Sequence, residues 1–261
     1  MANGIMRVHA ISDIHVDYPD NLAWLRMLSS VDYRDDILIL AGDVSEDMDL
    51  LAETFLLLLG KFRRLCFIPG NHELWVRNSD HHCSLEKFAA VRSLCRSLGV
   101  EIDLYREAGL SVVPLHGWYD YSFASPDRHL RRGWRDYQAC AWPQELDSSA
   151  KINQHFLARN TGLLCESNKT VISYSHFVPS IELMPQSIPD RKRILYPVLG
   201  STGLGEQVRQ LKPDIHIYGH SHVNQSRIVE GIRYVNNAFG YPSETRIAGK
   251  QLLCVFQGCA E

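Results

Sequence analysis

The chain has 261 residues, 45% of them hydrophobic and 22% charged, a globular composition that excludes disordered and collagen-like classes. At this length roughly 70–75% of the unfolded surface is buried on folding, so the core needs no covalent staple. Lys and Arg number 27 against 30 Asp and Glu, and the formal net charge of −3 gives no footprint for general nucleic-acid binding.

The first hundred residues alternate strand and helix patterns. Ile5–Ile11 predicts a strand, Asp20–Ser30 a helix, Asp36–Leu40 a buried strand, and Asp47–Leu59 a helix with Leu50, Leu51, Phe55, Leu58 and Leu59 as its core stripe. Arg64–Ile68 predicts a third strand, and Ser84–Leu98 a helix stopped by Gly99. Strands separated by helices of this length indicate βαβ units in a largely parallel sheet. Further on, Leu110–His116, Thr170–Ser175 and Asp214–Tyr218 predict strands between longer, irregular spacers. Gln225–Val229 and Ile232–Asn236 flank Glu230-Gly231, a two-residue hairpin turn, and Gln251–Phe256 is a closing strand. No repeat or Gly/Ser linker interrupts the chain, so residues 1–261 read as one domain with two sheets.

Seven cysteines without a CxxC pair suit reduced thiols, with Cys66, Cys95, Cys140, Cys165 and Cys254 as small buried hydrophobes. The first residues, MANGIMRVHAISD, are too short and polar for a signal-peptide core. The most apolar run, Phe55–Leu59, falls far short of the about 20 residues of a spanning helix. A cytoplasmic protein without a membrane partner is expected.

Metal-capable side chains follow each strand. They are Asp13-Ile14-His15, Gly42-Asp43, Gly70-Asn71-His72-Glu73, Ser175-His176 and Gly219-His220-Ser221-His222. Ligands of open α/β sheets bind outside the carboxyl ends of the strands, so these tips should converge. Alternate residues of an extended segment point the same way, which would aim Asp13 with His15 and His220 with His222. Glycines 42, 70 and 219 would let the chain turn sharply at each tip. Two Asp, one Asn and four His, with His72 as a spare imidazole, exceed one tetrahedral zinc site and suit two divalent ions. Mixed N/O donors without thiolate favour Mn, Fe or Zn.

The ordered blocks DIH, GD, GNHE, SH and GHSH, spanning residues 13–222, resemble those of the calcineurin-like metallophosphoesterases. The resemblance implies an α/β fold, a two-sheet αββα sandwich with mixed sheets and helices on both outer faces. It also implies that Asp13, His15 and His222 bind a first metal, that Asn71, His176 and His220 bind a second, and that Asp43 bridges them. His72 would assist the leaving group. Such a pair of divalent ions would acidify a bridging water, and the resulting hydroxide would attack a phosphodiester or phosphomonoester of a small molecule or nucleotide. The second block, GDVSEDMD, lacks the phosphate-gripping arginine of the protein phosphatases in that family. A catalytically silent interaction scaffold would be expected to lose ligands, and all eight positions are intact here.

Residues 117–142 interleave aromatic and arginine side chains, and an insert there would shape the substrate site. Trp118, Tyr119, Arg131 and Arg132 are the candidate contacts, by ring stacking and bidentate phosphate binding. His81-His82-Cys83 and Arg191-Lys192-Arg193 read as solvated loops, and His9 and His216 as hydrogen-bonded strand histidines.

Overall fold

The computed structural model describes residues 5–259, so residues 1–4 and 260–261 of the expected domain lie outside it. Ten strands form two mixed sheets. In the first, β1 (Ile5–Ile11), β2 (Ile37–Leu40) and β3 (Arg64–Phe67) run parallel, and β10 (Leu253–Cys259) pairs antiparallel to β1. In the second, β5 (Leu110–Pro114), β6 (Thr170–Tyr174), β7 (Ile215–Tyr218) and β9 (Ile232–Asn236) run parallel. Antiparallel β4 (Tyr105–Glu107) and β8 (Gln225–Val229) close its two edges.

Side-chain alternation then dictates the layers. Val8, Ala10, Ile37 and Ile39 of the first sheet pack against Leu110, Val112, Ile172, Ile215 and Ile217 of the second. The odd-even partners of these residues face outward, where helices cover them. The outer face of the first sheet is buried by α1 (Pro19–Met27), α2 (Met48–Leu59) and α3 (Ser84–Leu98) through Leu25, Leu51, Phe55, Leu58, Val91 and Cys95. The outer face of the second is buried by α4 (Arg128–Gly133), α6 (Ser149–Ala158) and α7 (Thr202–Leu211), with short α5 (Asp136–Ala139) beside them. The αββα sandwich with mixed sheets is the expected one.

Local sequence explains the element ends. Asp47 caps α2 by accepting from Asp49 N and Leu50 N, so the helix starts at Met48, one residue after the predicted start. Gly99 closes α3 at φ 79°, a backbone conformation costly for other residues. Glu230 and Gly231 both have positive φ, the two-residue turn of a twisted hairpin. Edge strand β4 and helices α4, α5, α6 and α7 had no counterpart in the sequence reading, the helices occupying the apparently irregular spacers. The last two carry serine caps, Ser148 and Ser201, accepting from Lys151 N and Leu204 N.

Cys66 and Cys95 are buried as expected, whereas Cys165 and Cys254 are exposed. Cys165 lies beyond the last turn of α6, and Cys254 points away from the inter-sheet layer on edge strand β10. His216 is satisfied by Ser173 Oγ at 2.7 Å and Ser175 Oγ at 3.1 Å, whereas His9 bonds Asp36 through Nε2 at 3.0 Å and leaves its buried Nδ1 without a partner. No helix among the described residues is long and apolar enough to cross a membrane.

Candidate metal centre

The parallel strands of both sheets end on one side of the sandwich, and backbone bonds stitch their tips together. Asp13 N donates to Gly42 O (2.8 Å) and His15 N to Asp43 O (3.1 Å), so the first two tips run side by side. Beyond β9, Ser12 N donates to Asn237 O and Phe239 N to Ser12 O, which joins the second sheet to the first.

The buried Glu73 carboxylate locks the next two tips by accepting from Asp43 N (3.0 Å), Val44 N (2.6 Å), Ser45 N (3.1 Å) and Gly70 N (2.7 Å). Burial pushes its pKa up, against those four donors. Sequence reasoning placed Glu73 inside a motif and gave it no task.

The tips are not extended. Asp13, His15, Asp43, His220 and His222 all have φ between 47° and 66°, and they are five of the ten non-glycine residues with positive φ among the described residues. The expected alternation along an extended segment is therefore wrong. Each side chain is aimed by a left-handed kink, a conformation costing about 1–2 kcal/mol per residue. Glycine is required here for space as well as for turning. Gly42 does adopt φ 83°, but Gly70 does not have positive φ. A methyl at Gly70 would collide with Asp43 Oδ1 and His176, and one at Gly219 with Asp13 and Ser12.

The arrangement brings together the eight polar positions singled out in the motifs. Asp13, His15 and His222 converge, with His15 Nε2 3.2 Å from His222 Nε2 and His222 Nε2 3.3 Å from Asp13 Oδ1. Asp43, His176 and His220 form a second group, with His176 Nε2 3.4 Å from Asp43 Oδ1, 3.1 Å from His220 Nδ1 and 3.1 Å from Asn71 Oδ1. His15, Asp43 and His72 make a third, overlapping group between them.

Hydrogen bonds on the far side of each ring assign the tautomers. The Ala41 carbonyl can only accept, so His176 Nδ1 donates to it at 2.9 Å, and Nε2 carries a lone pair. The Val198 carbonyl likewise takes the Nε2 proton of His220 at 2.9 Å, leaving Nδ1 bare. Burial lowers the pKa of both rings, that of His220 to about 3, so they are neutral. Two lone pairs thus face each other at 3.1 Å, a repulsive contact that a cation between them converts into ligation.

His222 donates Nδ1–H to Glu244 Oε2 at 2.6 Å. Burial opposes its charged form, but Asp13 and Glu244 outweigh it and raise the pKa to about 9. Burial and the carboxylates of Glu73 and Asp13 push the Asp43 carboxyl far above its ordinary range. A wholly buried carboxylate so placed needs compensating positive charge. The donor set therefore fits divalent ions.

Above these groups lies a cavity of about 230 Å³, walled by His72, Trp75, Arg77, Trp134, Arg135 and Tyr241. His72 stacks on Trp75 at 3.7 Å between ring centroids, and Arg77 and Arg135 lie 5.3 Å and 5.6 Å from the same indole. Buried Asp136 ties the wall to the ligands, accepting from Asn71 Nδ2 (2.9 Å), Trp75 Nε1 (2.7 Å) and Trp134 Nε1 (2.8 Å). These bonds orient the Asn71 amide with Oδ1 toward His176.

None of the four expected contacts in 117–142 lines this cavity. Trp118 and Tyr119 are each 1% exposed and sit in the outer core of the second sheet, where Trp118 packs edge-on against Phe177, at the base of a separate depression that Arg131 also lines. Arg131 and Arg132 are exposed on α4 but do not reach the cavity, and Arg131 lies over Tyr121 instead. The same segment contributes Trp134, Arg135 and Asp136.

Known proteins were compared once this geometry was in hand. A curated relative, the [acyl-carrier-protein] phosphodiesterase PptH of Mycobacterium tuberculosis, is 24% identical over 91% of this chain and 78% of its own length. The uncharacterized protein L509 of Acanthamoeba polyphaga mimivirus is 23% identical over 90% of this chain and 91% of its own length. The crystal structure of the phosphopantetheinyl hydrolase PptH from M. tuberculosis superposes with a TM-score of 0.82 at 22% identity, covering 98% of this chain and 97% of that one. Residues 6–224 match the calcineurin-like phosphoesterases, and this chain belongs to that family of metal-dependent phosphoric ester hydrolases.

Proposed function

We propose that the protein is a dinuclear phosphodiesterase whose substrate carries a small group on a protein through a phosphodiester. The observation behind it is that Asp43 stands in two overlapping groups, one with His15 and the other with His176 and His220, while His15 also belongs to the group of Asp13 and His222. Asp13, His15 and His222 hold one divalent ion, Asn71, His176 and His220 the other, and Asp43 bridges the two. The N/O donor set without thiolate favours Mn, Fe or Zn. Bound ions supply charge that neutralises phosphoryl oxygens and lowers the pKa of water.

The chain's own groups do the rest. Arg77 and Arg135 orient phosphate oxygens at the cavity wall. His72, held on Trp75 with Nε2 3.7 Å from Asp43 Oδ2, is too far for a hydrogen bond to that carboxylate and is free to hydrogen-bond the departing oxygen. The diester preference draws on the curated relative's named activity. Ligand sites for drug-sized molecules span about 300–1,000 Å³. A cavity of about 230 Å³ is below that range, so it takes the phosphodiester and leaves the carrier outside. The six free cysteines among the described residues support a cytoplasmic setting.

The test uses metal-stripped protein with and without added Mn²⁺, on a chromogenic phosphodiester and its monoester. Turnover restored by metal and faster on the diester is expected. Asp43→Asn should lose both ions together, measured by elemental analysis. Two ions retained at wild-type affinity would overturn the bridge.

A further inference from the structure

Two basic stretches remain unexplained by the centre: the arginines of 128–135 and Arg191-Lys192-Arg193. The fold brings them together. Asp127, at the N-terminus of α4, lines one surface groove with Arg191 and Arg193. The other end of α4 leads directly to Arg135, whose guanidinium overlies Trp75 in the cavity wall. One basic edge therefore runs from the cavity mouth along α4 to residue 193, in a chain whose net charge is −3.

Most charges on this edge have no carboxylate partner, as is also true of Arg34, Arg64, Arg159, Arg209, Arg227, Arg233 and Arg246 elsewhere among the described residues. Arg7, Arg26, Arg63, Arg77, Arg92, Arg96 and Arg106 each pair with a carboxylate. Among the described residues, Arg128, Arg131, Arg132, Arg135, Arg191 and Lys192 have no such pair, and only Arg193 does, with Asp190 at 3.3 Å. Of the two carboxylates that line the groove at this edge, Asp190 pairs with Arg193 and Asp127 accepts from Leu130 N at 2.8 Å. Within α4 and the turn after it, Arg128 and Arg132, and Arg131 and Arg135, stand four residues apart as like charges, an arrangement that disfavours the helix. Apart from Asp190 beside Arg193, no carboxylate among the described residues pairs with them, whereas an external acidic surface would.

We infer that this edge docks an acidic face of the protein that presents the phosphodiester to the cavity. The inference rests on the protein-borne diester proposed above. It adds which surface recognises the carrier and by what chemistry. A single compact edge suits a folded acidic face better than a nucleic acid, whose successive phosphates call for a longer basic track. Opposite charge at such an edge speeds encounter and makes it sensitive to ionic strength.

The test reverses three exposed charges outside the cavity, Arg128→Glu, Arg191→Glu and Lys192→Glu, in one variant. Binding of apo acyl carrier protein, which lacks the phosphodiester arm, is measured by fluorescence anisotropy at 50 and 300 mM salt. Hydrolysis of the holo form and of bis(4-nitrophenyl) phosphate is measured beside it. The expected result is wild-type binding that weakens with salt, weakened at least tenfold in the variant, with turnover of the small diester unchanged within twofold. Failure of the wild type to bind the apo carrier, or equal binding by the variant, would overturn the docking edge. So would an oligodeoxynucleotide that binds through these residues where the carrier does not. Binding as expected without hydrolysis of the holo form would sustain the edge and overturn the proposed substrate.

Discussion

His72 occupies a position that chemistry must decide. It neighbours the ligand Asn71 in sequence, its ring lies 4.6 Å from that of His15, and it shares a possible metal-holding group with Asp43. Its backbone N–H, not its ring, bonds Asp43 Oδ1 at 3.0 Å. His72→Ala should keep both ions and lower kcat by about 10²–10⁴-fold, the range for a proton donor to a leaving group. Elemental analysis beside the rate decides the matter, because loss of an ion would make His72 a ligand. Glu244 works differently, by keeping the proton on Nδ1 of His222, so that an ion would take the place of the proton on Nε2. Glu244→Gln should weaken occupancy of the first ion by about 10–100-fold, read by titration with Mn²⁺, while the second ion stays. Neither Glu244 nor Asp136 could be found in the sequence, since each is brought to its histidine or asparagine partner only by tertiary folding. The candidate ligands were legible because strand ends collect them in short, ordered blocks.

At the scale of elements, Glu73 is the joint between the second and third strand tips. Replacing its carboxylate by an amide puts a donor group against backbone N–H donors in a fully buried place. Glu73→Gln should destabilise the protein by about 2–4 kcal/mol, from losing charge-assisted bonds and leaving buried donors unpaired. Urea unfolding would show it, and an unchanged midpoint would mean that the tips hold without this carboxylate. Parallel strands separated by helices were readable through Leu98 because each strand is a short apolar run and each helix has a stripe. Past residue 117 that regularity ends. There α6 and α7 are announced mainly by serine caps, and Trp118 and Tyr119 look like ligand-stacking residues until packing puts them in the core. Aromatic content alone does not separate a wall of a pocket from the floor beneath it.

Over the whole molecule, stability should depend on acid through histidines that fold in neutral form. His116 is buried beside Phe88 and Phe156, and burial, aided by Arg92 and Arg159, lowers its pKa from 6.5 to about 3. Between those values the unfolded chain binds the proton and the native one does not. The contribution is therefore complete above pH 6.5 and falls away as pH drops toward 3, by up to about 1.4 kcal/mol per pH unit. His116→Gln should be less stable than wild type at pH 7.5, with the difference narrowing toward pH 4 in urea titrations. A constant difference would show that His116 does not titrate between the two states.

Each ligand cluster draws from both sheets: Asp13 and His15 precede β2 while His222 follows β7, and Asp43 and Asn71 belong to the first sheet while His176 and His220 belong to the second. Ions bound there would act as rivets across a seam that the Ser12 to Ala238 bridge and the His220 N to Asp13 bonds also hold at this end. A riveted seam should breathe as one unit. Amide protons of Asp13, Asp43 and Gly219, on different strands, would then exchange with solvent at a common slow rate in loaded protein and at separate, faster rates after chelation. Occupancy of the centre would be audible in the backbone of both halves, far from any substrate.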